Sequence, residues 1–206
     1  MIALCAEHHA KTDAGAFTND QLRQMKSADL DRRGTVSGRF EWMRNKLLAV
    51  VGGSFYYETP IILKVKGQPA IWLNRDQSGS LLLNIRMLTT SREPRLHLED
   101  NDWIALGNLK DFECPPHGRL IHALYPKGDE LRIEYVELSS LEVAQARYLH
   151  ARTGHWDVEF PITAVEVQFK VGGTEIDFGL THAVLPGRNI VQIGFAKNCG
   201  CGIALD

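Results

Sequence analysis

Three things are scarce in these 206 residues, and each scarcity narrows what the chain can be. No apolar run is long enough to span a bilayer, which takes ~20 residues as a helix. No basic stretch followed by an apolar core opens the chain, as a secretory leader would. No membrane partner is therefore expected. Cysteine is sparse: Cys5, Cys114, Cys199 and Cys201, at irregular spacing. A disulfide framework needs more, so reduced thiols and a cytoplasmic location are the simplest expectation. An excess of either charge is also missing, with 23 Lys and Arg against 25 Asp and Glu, a net charge of −2. Such a balance gives no global attraction to nucleic acid, although a local basic patch can still act. The phosphate loop, the dinucleotide fingerprint and the Gly-x-Ser-x-Gly elbow are absent too.

What is present divides by periodicity. Thr18-Asn19-Asp20-Gln21 has the form of a capping box, and Leu22 and Met25 follow it on one helical face. A second helix is predicted from Ser37 as N-cap, with Phe40, Met43, Leu47 and Val50 as its buried stripe and Gly52-Gly53 as its end. Residues 1–33 thus read as a short α-helical N-terminal segment and residues 34–54 as a helical connector. From Phe55 the period shortens toward two. Residues 61–65, 70–73, 81–88, 119–124, 131–138, 165–169, 176–183 and 189–195 read as strands. Turn signals such as Lys66-Gly67-Gln68 and Lys127-Gly128-Asp129 separate them. A short helix is expected over residues 140–148. The fold class predicted is mainly β (α+β), with the helical start leading into an antiparallel sandwich- or barrel-like domain over residues 55–206.

The opening residues carry chemistry. Met1-Ile2-Ala3-Leu4-Cys5-Ala6-Glu7-His8-His9-Ala10-Lys11 resembles the last part of an HNH endonuclease motif. In that family a strand ending in Leu-Cys runs into a helix that opens with Cys-His or His-His. The continuation Asp13-Ala14-Gly15-Ala16-Phe17-Thr18, then Gln21-Leu22-Arg23, is similar as well. The β-rich part resembles the region that follows the HNH module in some bacterial proteins, through Gly52-Gly53, Tyr56-Tyr57-Glu58-Thr59-Pro60, the run 81–86 and Glu99-Asp100-Asn101-Asp102-Trp103. That second likeness brings no chemistry of its own.

The resemblance implies metal-dependent hydrolysis of DNA phosphodiesters, with DNA as partner and Mg²⁺ or Mn²⁺ as cofactor. His9 matches the metal-ligand position. Lys11, with Arg23 and Lys26, stands where a phosphate could be positioned. Cys5 and His8 match places that supply half of a structural zinc site in zinc-containing members, but a small buried Cys is the commoner role, and zinc is the lesser expectation. Each residue has a plainer alternative: a capping or core histidine for His9, a solvated helix residue for Lys11. The family's general-base His and middle Asn belong before residue 1 in the motif. The chain as it stands is therefore expected to be truncated and catalytically incomplete. Residues 1–4 would then expose an open strand edge, free to fray or to pair with a protein partner or a second copy. The alternative function is a non-catalytic β-sandwich module that binds a protein or ligand. Cys199-Gly200-Cys201 could join Cys114 at a metal, although two reduced thiols near a last strand are the simpler reading.

General-base assistance contributes about 10²–10⁴-fold. The 206-residue polypeptide should accordingly show little or no plasmid cleavage in Mg²⁺ or Mn²⁺. Robust nicking that His9→Ala abolishes would refute this expectation.

Overall fold

The structure is a computed structural model, and it describes residues 20–21, 23–24, 36–39, 44–115, 119–152, 155–173, 176–186, 188–190 and 194–205. The described part is mostly β. One sheet takes β1 (Val36–Arg39), β4 (Ile61–Val65), β5 (Gln68–Arg75), β6 (Leu81–Arg86), β7 (His97–Glu99), β8 (Asp102–Ala105) and β17 (Cys201–Leu205), in the spatial order β1-β8-β7-β6-β5-β4-β17. The second sheet takes β2 (Leu47–Val51), β3 (Ser54–Tyr57), β9 (Asp111–Glu113), β10 (Leu120–Leu124), β11 (Glu130–Leu138), β12 (Ile162–Val171), β13 (Ile176–Phe178), β14 (Ala183–Leu185), β15 (Arg188–Ile190) and β16 (Phe195–Lys197). Its main path is β15-β14-β13-β12-β11-β10-β9, with β2 beside β12, β3 beside β2 and β16 beside β3. A helix, α1 (Leu141–Arg147), begins at Ser140, whose side chain accepts the Val143 N–H. This is the helix expected over residues 140–148.

Among the described residues of 34–54 there is no helical connector. Residues 36–39 form β1 against β8; of the expected stripe, Leu47 and Val50 lie in β2, while Phe40 and Met43 lie outside the described residues. The reason is physical. Leu47-Leu48-Ala49-Val50-Val51 is a continuous apolar run, and all five residues are buried. Such a run fits a strand covered on both faces as well as a helix stripe, so periodicity alone does not decide it. Gly52 and Gly53 then serve as a two-residue hairpin turn with positive φ (62° and 83°) instead of a helix end. Lys66-Gly67 (φ 46° and 77°) turns β4 into β5 in the same way.

The expected antiparallel pattern also needs correction. Three pairs run parallel: β2 with β12, β16 with β3, and β17 with β4. The strand predicted over residues 176–183 is two strands, β13 and β14, turned where the Gly179 N–H donates to the His182 carbonyl. Of the helical start, residues 20–21 and 23–24 are described and helical; the rest of 1–33 lies outside the described residues.

Strand alternation feeds two cores. On β12, Val165, Val167, Phe169 and Val171 enter the core shared with the first sheet, while Ile162 and Ala164 point to the opposite face. On β2, Leu47, Ala49 and Val51 join the first core, and Leu48 and Val50 the second. The second core is closed by Tyr148, Ala151 and Trp156 on and after α1. Asp129 fastens the turns of the sheets together. Its buried carboxylate accepts from Thr89 Oγ1 (2.5 Å), Arg95 Nε (3.2 Å) and the Gly172 N–H (3.0 Å). Arg95 is itself buried, with its guanidinium 4.6 Å from the Tyr125 ring centroid.

Every buried apolar residue among those described lies at Leu47 or beyond. Deleting residues 1–33 should therefore leave one cooperative thermal transition, followed by circular dichroism. A gradual, non-cooperative melt would place the N-terminal segment inside the core.

Candidate functional site

Arg23 is the one sequence-predicted site residue that is described. Its guanidinium pairs with Asp20 at 2.8 Å, one turn away, with the two side chains 78% and 83% exposed. A solvated pair of this kind contributes ~0.2–0.5 kcal/mol. Cys5, His8, His9, Lys11 and Lys26 lie outside the described residues. No group of three or more His, Cys, Asp or Glu side chains is placed to hold a metal among the described residues. The later histidines are dispersed: His122 meets Glu130 at 2.9 Å, His97 meets Glu99 at 3.7 Å and His182 meets Asp177 at 3.7 Å. Cys114 packs half-buried against the first core, and burial pushes its thiol up. Trp103, which follows the Asp100-Asn101 turn, is a core residue tilted at 39° against Phe112 with ring centroids 4.8 Å apart. It forms no exposed aromatic platform.

An aromatic cluster sits on the far face of the second sheet. The parallel register sets Phe195 of β16 directly beside Phe55 of β3. Phe55, fully buried, meets Trp156 edge-on at 4.8 Å and Tyr148 at 5.2 Å, and stacks on His150 at 5.6 Å. The Trp156 indole N–H donates to the Ala151 carbonyl at 3.1 Å, fixing the ring. A cavity of about 450 Å³ opens over this cluster. Phe55, Trp156 and Phe195 form its apolar wall, and His155, Asp157 and Lys197 its polar rim. Lys197 Nζ lies 2.9 Å from Asp157 and 5.5 Å from the centre of the Tyr57 ring. The arrangement suits a small ligand with a flat apolar face and a polar edge. Sequence reading missed it because its walls come from β3, the segment after α1 and β16, distant in the chain.

Beneath the cluster lies a buried ion pair. Glu166, on the α1-facing side of β12, is 1% exposed. It accepts from Arg147 Nε and Nη2, the latter at 2.9 Å, and from the Tyr148 hydroxyl at 2.7 Å. The Glu166 hydrogen bonds hold Arg147 firmly protonated, while burial first and the adjacent Glu166 charge second push the Tyr148 phenol well up. The carboxylate is saturated with donors and closed to solvent, so it serves to dock α1 on the sheet. Arg147 is 37% exposed, so removing Glu166 leaves a solvated cation, whereas removing Arg147 leaves the buried Glu166 carboxylate without its cation and is the more costly loss.

A second cavity of about 410 Å³ lies between Arg44, Lys46, Glu137 and Glu159. Arg44 pairs with Glu137 at 2.9 Å and Lys46 with Glu159. Two bases are matched by two acids, which gives no local attraction for an anion. No family model, no curated protein and no solved structure matches this chain.

His150 supplies a pH test. Its Nε2 is buried without a hydrogen-bond partner, and burial lowers its pKa below the usual 6.5, partly opposed by a backbone contact to Gly53. The unfolded chain then takes up the proton more readily than the native one. Stability is full above about pH 6.5 and is lost as pH falls through the lower native value. His150→Phe, which keeps the ring against Phe55, should show a smaller drop in melting temperature between pH 7.5 and pH 5.5 than the unaltered protein. Equal drops would remove His150 from the account.

Proposed function

We propose that the protein is related to the HNH endonucleases, with part of a ββα-metal element in its first 33 residues and a sandwich-like binding module in its β-rich part. The single observation that carries this reading is the run Leu4-Cys5-Ala6-Glu7-His8-His9-Ala10-Lys11, followed by Asp13-Ala14-Gly15. The helical state of residues 20–21 and 23–24 supports it, because the resemblance puts a helix there. The packing of two sheets on one shared core supports the sandwich description. The family's activity is hydrolysis of DNA phosphodiesters, in which Mg²⁺ or Mn²⁺ stabilises charge at the scissile phosphate. His9 is the proposed metal ligand. Lys11, Arg23 and Lys26 are the proposed phosphate contacts. Zinc at Cys5 and His8 remains the lesser assignment.

A second reading is favoured by the aromatic cavity: the β-rich part binds a ligand without catalysis. The apolar wall of Phe55, Trp156 and Phe195 under a polar rim is the general form of a small-molecule site.

One experiment on the full chain separates the two. Mn²⁺ binding is followed by electron paramagnetic resonance, and duplex DNA binding by fluorescence anisotropy across a salt series. Under the first reading His9→Ala weakens Mn²⁺ binding. Replacing Lys11, Arg23 and Lys26 together with Ala should lower DNA affinity evenly across sequences and flatten the salt slope by up to about 3, near one per lost contact. If both variants behave as the unaltered protein does, the nuclease reading falls and the cavity becomes the functional centre.

A further inference from the structure

Cys199 and Cys201 take part in neither reading. β16 ends at Lys197, in register with Tyr57 of β3, and β17 starts at Cys201, in register with Ile61 of β4. Residues 198–200 cross from the second sheet to the first. The Asn198 N–H donates to the Tyr57 carbonyl at 2.9 Å, and Asn198 takes a left-handed φ of 53°. The crossover is thus anchored in a ladder at each end. The two cysteines ride on fixed backbone, one on each side of a bend at Gly200.

The thiols are free and half-buried. Each makes one long contact to a carbonyl of its own segment, Cys199 Sγ to Lys197 at 3.6 Å and Cys201 Sγ to Ile203 at 3.5 Å. Contacts this weak are readily given up. A Cβ built on Gly200 would meet nothing within 4 Å, so the approach between the cysteines is open. At Gly202 the space is closed, since a Cβ there would come within 2.8 Å of the Tyr56 ring.

We propose that Cys199 and Cys201 form a dithiolate site for a soft d¹⁰ cation that is satisfied by two sulfur ligands, with Cu(I) as the biological ion of that class. Thiolates select soft ions over Mg²⁺ and Mn²⁺, which prefer oxygen. Zn²⁺ prefers four ligands, and among the described residues no third His, Cys, Asp or Glu completes such a set. Binding replaces both S–H bonds by S–Cu bonds and releases two protons to water, so no oxidant or reductant is needed. Backbone anchored on both sides keeps the ordering cost low.

The test titrates the reduced full chain with Cu(I) under argon against bicinchoninate, a chromophoric Cu(I) chelator. The expected result is one Cu(I) per chain, with a near-ultraviolet thiolate-to-copper band. Cys199→Ser and Cys201→Ser should each weaken binding about tenfold or more and remove the band. Cys114→Ser and Cys5→Ser should bind as the unaltered protein does. Thermal melts of the metal-free variants check that the serine changes leave the fold intact. Failure to compete with the chelator overturns the proposal. So does binding that survives both Cys199→Ser and Cys201→Ser, or binding that depends on Cys114 or Cys5. Zn²⁺ held as tightly as Cu(I) overturns the two-ligand assignment.

Discussion

β12 has neither a free face nor a free edge, and the rest of the structure is arranged around that constraint. One edge pairs with β11 from Ile162 to Lys170. The other edge is divided: Thr163 to Glu166 pair with β2 in parallel, and Phe169 to Val171 pair with β13 antiparallel. Two strands of opposite sense therefore follow one another along a single edge, and the junction needs special backbone. The Gly52 N–H bonds the Gly179 carbonyl at 2.8 Å and closes the gap. Gly52 has φ 62°, and a Cβ there would stand 2.9 Å from the Phe178 ring. A side chain at this position would strain the turn and press on the core together, so glycine is required.

A strand buried on both faces must present a different partner on each. The odd-numbered residues of β12 meet the first sheet as an apolar row. The even-numbered side carries Ile162, Ala164 and then Glu166, whose charge brings Arg147 and Tyr148 down onto the sheet. That ion pair sets where α1 lies, and α1 in turn sets where the chain re-enters with His150 and Trp156 beside Phe55. The aromatic cavity is thus a consequence of a carboxylate on β12. Asp129 plays the matching part at the turns, where Thr89 and Arg95 of the first sheet's side meet Gly172 of the turn after β12.

Local signals carried part of this. β10, β11, β12 and α1 stood out because alternation or capping marked them within a few residues. β11 (Glu130–Leu138) alternates along most of its length. β2 did not stand out, since five apolar residues in a row have no period, and its partner β12 begins more than a hundred positions later. The three parallel pairs were equally hidden. β16 is three residues long and its pairing with β3 depends on chain folded between them. The likeness to HNH endonucleases rests on residues 1–23, of which only Asp20, Gln21 and Arg23 fall among the described ones. The candidate cavity, built by tertiary placement of Phe55, Trp156 and Phe195, left no mark of its own in the sequence.

The charges bear on which ligands this surface could draw in. Arg39, Arg44 and Lys46 cluster in sequence, but each has a carboxylate neighbour: Asp102, Glu137 and Glu159. Pairs so exposed add little to stability, yet they cancel the local field that would draw in a phosphate chain. The rim of the aromatic cavity follows the same rule, with Lys197 answered by Asp157. In residues 1–33 the five Lys and Arg are likewise matched by five Asp and Glu. Charges so balanced give no net field to draw in a polyanion, whereas the aromatic wall of Phe55, Trp156 and Phe195 offers apolar contact that does not depend on salt as phosphate binding does.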